Sequence, residues 1–253
     1  MSSGKNNQDT GTFWDHLDVL RNCLIRIACV VIVLAVVAFC FKETLFSIVL
    51  APSKSDFITY RLLGGDEFAL RMINTGLTEQ FMVHIRVAAY FGLLLASPYV
   101  LYQLFLFVAP ALYEHERRYA VRIVSSTYLM FIAGTLVNYF LIFPLTVKFL
   151  GTYQVSPEVT NMLTIQSYAD TLLSMTLVIG LVFELPVLCW LLSKMHLLKS
   201  SQMRHFRKHS IIAILILSAV ITPSGDAFTM CAVALPIWLL YELSIWIVRK
   251  TNG

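Results

Sequence analysis

Apolar residues in this chain gather in long blocks parted by short polar segments. Nearly charge-free runs cover Ile27–Phe41, Val87–Phe107, Ile123–Val147, Thr171–Ser193 and Ala227–Val248. About 20 apolar residues suffice to cross a hydrocarbon core about 30 Å thick, so each run predicts a transmembrane helix. The first reaches back to Leu24 if Arg26 snorkels to the interface. Ile211–Thr222 is the weak case, because its twelve residues cover only about 18 Å as a helix. On length alone it could be re-entrant.

The placement of charge decides for a crossing. With six spans, one side holds Lys5, Arg21, Arg26, Arg117, Arg118, Arg122, Lys194, Lys199, Arg204, Arg207, Lys208, Arg249 and Lys250. The other holds Lys42, Lys54, Arg61, Arg71, Arg86 and Lys148. The positive-inside rule puts the richer side, and both termini, in the cytoplasm. The expectation is an all-α membrane protein, a single polytopic domain over 1–253. Its six transmembrane helices span 24–42, 82–107, 122–146, 170–193, 208–223 and 227–248, with kinks and with the last two short. A short fifth span predicts local bilayer thinning or a partner covering the mismatch.

Of the predicted outer links, Lys42–Gln80 is long, with LAPS (Leu50–Ser53) and LGGDE (Leu63–Glu67) as turn signals. Its ETLFSIVL stretch reads as a short helix lying along the interface. Pro144–Gln166 forms the second link and TPSGD (Thr222–Asp226) a tight third.

Composition agrees with this plan. Of 253 residues, 58% are hydrophobic and 13% charged, against about a quarter charged in soluble domains. A separate soluble domain has no room. The five cysteines form no CxxC pair and read as small buried hydrophobes. The polar start MSSGKNNQDTGTFWDH has neither the layout of a secretory signal nor that of an Arg-rich transit peptide, which points to a prokaryotic inner membrane.

Several chemistries find no motif. GxxxxGK[ST] and GxSxG do not occur, and HERRY (His115–Tyr119) lacks the second histidine of HExxH. No enzyme, cofactor, metal or nucleic-acid role is expected. What stands out is charge in apolar surroundings. Glu184 lies inside VFELPV, two residues before Pro186. An ionisable group at that depth costs about 2.5–3.5 kcal/mol on insertion scales, so it should face protein or water, and protonation would lower that cost. Asp226 can cap the last helix or serve a function. Glu242 lies within reach of Arg249 or the headgroups. Pro98, Pro144, Pro186 and Pro236 each remove a backbone donor and kink a helix, which suggests a concave or curved bundle.

FVAPALYEHERR (Phe107–Arg118) is the densest such feature. Glu114 and Glu116 can pair with Arg117, Arg118 and Arg122 along a helix start. Alternatively, beside Phe105, Phe107, Leu112 and Tyr113, they can receive a cationic, partly apolar segment. Carboxylates hold guanidinium in a bidentate fork that ammonium cannot reproduce.

FVAPALYEHERR, HLDVLR (His16–Arg21), LAP (Leu50–Pro52), SPYVLYQLFLF (Ser97–Phe107), VFELPV and TPSGD together resemble the TatC subunit family of the twin-arginine protein translocase. The resemblance runs from His16 to Ile247. It implies a cytoplasmic receptor for paired-arginine signal peptides that exports folded proteins with TatA- and TatB-like single-span partners, driven by the proton-motive force. Self-association is compatible with it. It implies signal-peptide contacts at Leu17, Asp18, Arg21, Phe107, Leu112, Glu114 and Glu116. It further implies intramembrane polar or partner contacts at Glu184, Asp226 and Met230, and outer-face structural roles for Pro52 and Phe81.

Two positions depart from the family. Val19 stands where glutamate is common, and Asp18 would point about 100° away on a helix, leaving more of the arginine recognition to Glu116 and Glu114. Met230 replaces a polar residue. The alternative function is a secondary transporter of a small solute or ion coupled through Glu184, a class that often shows internal repeats. None is evident here.

Overall fold

The computed structural model describes residues 13–62, 70, 72–108, 120–154, 156, 162–195, 197–222 and 226–252. The chain is mostly helical. It opens with α1 (Phe13–Cys40), the short α2 (Lys42–Val49) and α3 (Ile58–Leu62), then the long α4 (Glu79–Val108). After α5 (Ala120–Val137) a single π-helical turn, Asn138–Ile142, leads into α6 (Phe143–Thr152). Then come α7 (Ile165–Val182), α8 (Leu185–Lys194), α9 (Ser200–His205), α10 (Arg207–Ile221) and α11 (Ala227–Asn252). A two-residue parallel pair, β1 (Met72–Ile73) with β2 (Leu163–Thr164), ties the two longer outer links together.

Five stretches are long and apolar enough to cross a membrane: Leu17–Cys40, Glu79–Phe107, Ile123–Thr152, Ile165–Lys194 and Ala227–Thr251. α10, with 15 residues, spans about 22 Å and falls short of that length. The expectation of two short final helices therefore holds for α10 alone, since α11 runs 26 residues. α1 starts earlier than the apolar run because HLDVLR continues the same helix. The third crossing extends to Thr152, beyond 146. The fourth is broken: α7 stops at Val182, Phe183 and Glu184 turn, and α8 restarts with Pro186 in its first turn. Proline is welcome there, where its missing N–H has no intrahelical partner to lose.

Inside helices the prolines need help, and hydroxyls supply it. Pro98 lies within α4 and cannot donate to the carbonyl four residues back. The Ser97 hydroxyl donates to that Leu94 carbonyl instead, at 2.6 Å. Pro144 likewise leaves the Phe140 carbonyl without its helical donor, and the Thr59 hydroxyl donates to it from α3.

α1 and α4 pack antiparallel along their lengths. Phe39 stacks on His84 and meets Phe81 edge-on, Gly92 lies against Ala35, and the Cys23 thiol points at the Gln103 carbonyl at 3.7 Å. A Cβ on Gly92 would fall 2.6 Å from the Ala35 backbone nitrogen, so only glycine permits this approach. α5 and α7 interlock reciprocally. Phe183 fills the space over Gly134, and Phe131 fills that over Gly180. The main core gathers Val83, Val87, Phe143, Tyr168, Met175, Ile179 and Val233 from α4, α6, α7 and α11.

At the outer end, tyrosine hydroxyls pin the α2–α3 segment to the bundle. Tyr168 donates to Val49 O at 2.9 Å, Tyr139 to Ile48 O at 2.7 Å, and Tyr60 to Pro52 O at 2.8 Å and Pro144 O at 3.1 Å. These carbonyls belong to a chain leaving a helix, where backbone acceptors have no intrahelical partner.

Candidate functional site

The start of α1 and the end of α4 converge at one end of the bundle. Between them lies an open groove of about 240 Å³ lined by Val19, Asn22, Cys23, Arg26, Gln103, Leu106 and Phe107. The groove exists because α1 extends past its apolar run and keeps its antiparallel contact with α4. Gln103 is buried, and its carboxamide donates to the Tyr99 hydroxyl at 2.8 Å. Cys23, 7% exposed, forms part of the floor.

Of the expected signal-contact residues, Phe107 lines this groove. Leu17 is exposed on α1 nearby in sequence. Asp18 and Arg21 pair with each other at 3.8 Å, both largely solvated, one turn apart on the same helix. Neither lines the groove, whereas Val19 does. Asp18 thus does not take the place of a carboxylate at position 19. Leu112, Glu114 and Glu116 lie outside the described residues.

Glu184 sits at the α7–α8 break, and both its carboxylate oxygens are buried without a hydrogen-bond partner. The expectation of a mid-helix position is corrected: Glu184 precedes the first turn of α8. Asp226 caps α11. Its Oδ2 accepts the Thr229 amide at 2.8 Å, and its Oδ1 accepts the Thr229 hydroxyl at 2.5 Å. Met230 follows on that turn, half-buried. On the outer face Pro52 is buried and its carbonyl accepts from Tyr60, while Phe81 is exposed beside Phe39. Glu242 pairs with Arg207 on α10, at 2.6 Å, rather than with Arg249.

Sequence reasoning missed two polar links between helices. Arg86 on α4 holds both oxygens of Asp170 on α7, at 2.8 and 2.6 Å. Asn138, fully buried in the π turn, donates to the Thr176 hydroxyl at 2.9 Å. Arg86 and Asp170 both interrupt otherwise apolar surroundings, a signal that was present but did not name the partner. Among the described residues, no group of three or more His, Cys, Asp or Glu side chains could hold a metal ion.

A family model described as Sec-independent protein translocase protein (TatC) matches residues 15–236. The chain belongs to the TatC family. Among TatC relatives, that of Blattabacterium sp. subsp. Periplaneta americana is 31% identical over 96% of this chain and 97% of its own. The TatC of Koribacter versatilis is 33% identical over 92% and 83%. A crystal structure of the twin-arginine translocase receptor TatC superposes with a TM-score of 0.79 at 30% identity, covering 94% of this chain and 100% of that one. The family is one of protein translocases, not of enzymes, and the apolar helices make this chain a membrane protein.

Proposed function

We propose that this TatC-family chain is the receptor and core subunit of a twin-arginine translocase, binding paired-arginine signal peptides at its cytoplasmic face. The observation that carries the reading is the meeting of the α1 start and the α4 end in one groove, with Phe107 in its wall. Glu114 and Glu116 follow Phe107 by seven and nine positions in sequence. Because Val19 brings no carboxylate and Asp18 is engaged by Arg21, Glu116 with Glu114 carries the arginine recognition. The fork of a guanidinium matches a carboxylate in a way an ammonium does not.

The membrane plan belongs to the same reading. α10 crosses as a sixth span, both termini are cytoplasmic by the thirteen-to-six bias in basic residues, and the membrane is the bacterial inner one. The peptide's apolar stretch inserts beside the bundle. TatA- and TatB-like single-span partners assemble at Glu184 and along α10 and α11 near Asp226 and Met230, and the proton-motive force drives export. A buried, unpartnered carboxylate at the α7–α8 break supports a partner contact there. A coupled transporter would need a second polar group against Glu184, and among the described residues its carboxylate has none.

The test is binding of a synthetic signal peptide to the purified chain, in Arg-Arg and Lys-Lys forms, for wild type and Glu116→Ala. Tighter Arg-Arg binding that Glu116→Ala abolishes is expected. Equal binding of both peptides by wild type would sink the receptor reading.

A further inference from the structure

The groove between α1 and α4 contains a cation with nothing to neutralise it. Arg26 makes no ion pair or hydrogen bond among the described residues, and no carboxylate lines the groove with it. Arg21, one turn earlier, has Asp18. Sixteen residues separate Arg26 from Lys42, about 24 Å of helix. If Lys42 marks the far edge of a core about 30 Å thick, the Arg26 backbone lies about 6 Å inside the hydrocarbon. A guanidinium there reaches outward to an anion at the headgroup level.

The remaining lining separates by chemistry. Asn22 and Gln103 are polar, while Val19, Leu106 and Phe107 are apolar. Leu24 and Leu104, both exposed, extend apolar surface along the two helices toward the membrane interior. A cationic head, an amide neighbour and an apolar wall leading down into the bilayer match a lipid with a charged phosphate and a hydrocarbon tail. They do not match the arginine pair of a signal peptide, because a second guanidinium beside Arg26 would be repelled.

We propose that this groove is a binding site for one anionic phospholipid of the phosphatidylglycerol type, its phosphate on Arg26 and its first acyl segment against Leu106 and Phe107. The site goes beyond the receptor reading and does not depend on which side of the membrane this end faces.

Purified full-length chain is equilibrated in detergent with equal amounts of phosphatidylglycerol and phosphatidylcholine, then separated from free lipid, and the retained lipids are counted. A basic residue near a headgroup contributes about 1 kcal/mol, so about fivefold enrichment of phosphatidylglycerol is expected. Arg26→Gln should bring the ratio to about one, Arg26→Lys should keep most of it, and Arg61→Gln at the outer end should leave it unchanged. Millimolar inorganic phosphate should not displace the lipid. A wild-type ratio near one overturns the proposal, as does enrichment that survives in a folded Arg26→Gln protein. Loss of lipid to inorganic phosphate assigns the groove to a free anion, and displacement by a signal peptide assigns it to the peptide; either result overturns it. Should Arg26→Gln fail to fold, the wild-type ratio and the two competitors decide alone. Failure here leaves the Arg-Arg against Lys-Lys comparison at Glu116 untouched.

Discussion

Tyr60 has one hydroxyl hydrogen and two carbonyls in reach, Pro52 O at 2.8 Å and Pro144 O at 3.1 Å, and the residue is 2% exposed. Tyr60→Phe keeps the ring and removes the only donor, leaving buried carbonyls unsatisfied at a cost of about 1–3 kcal/mol. The variant should melt several degrees below wild type. The phenol also sets a pH dependence. Burial holds its pKa above the ordinary value near 10. The neutral form is therefore favoured by folding, and its contribution is complete below pH 10 and declines as pH rises above it. The melting gap between wild type and Tyr60→Phe should narrow between pH 9 and 12; a gap constant over that range would show that the hydroxyl is not held neutral by the fold. Some residue roles were legible in sequence and some were not. Asp226 reads as a cap from its place just before an apolar run, and it is one. The partner of Glu242 could not be read, because Arg207 is 35 positions away and meets it only once α10 docks on α11.

At the scale of elements, apolar run length located the helices but not their ends. Hydropathy is blind to a helix that continues past the membrane, so the polar start of α1 lay hidden behind Leu24, and with it one wall of the groove. The π turn at Asn138–Ile142 left no pattern to read, whereas the α7–α8 break was foreshadowed by Pro186. Helix pairing was also hidden, since it depends on small residues opposite backbone. Gly92 is the sharpest instance. A methyl group there would meet Ala35 N at 2.6 Å and Ala35 Cα at 2.7 Å. Backbone atoms cannot swing aside as a side chain can, so Gly92→Ala must separate α1 from α4. Overpacking of this kind costs about 1–3 kcal/mol, well above the gain in helix propensity of about 1 kcal/mol. Gly92→Ala should therefore lower the melting temperature, and Gly76→Ala, whose added methyl would meet only Glu79 side-chain atoms at 3.5 Å and beyond, should not do so by steric contact. Equal melting of Gly92→Ala and wild type would mean that the helices part freely.

Over the whole molecule, five long spans surround one short helix. α10 offers about 22 Å where its neighbours offer 24 to 30 residues each, and its exposed face, Ile212, Ile216 and Val220, is apolar. It is clamped at one end by Arg207 to Glu242 on α11, so it cannot lengthen its reach by sliding. In a bilayer about 30 Å thick the mismatch must be met by thinning, at fractions of a kcal/mol per ångström. The long helices meet a thin bilayer simply by tilting, while α10 has no such recourse in a thick one. The purified chain should therefore be more stable to heat in bilayers with 14-carbon tails than in bilayers with 22-carbon tails. Inserting four apolar residues after Leu215 adds about 6 Å and should move the optimum toward longer tails. If stability ignores tail length, or if the insertion shifts nothing, then α10 does not meet lipid along its length and its apolar face must be covered by other protein.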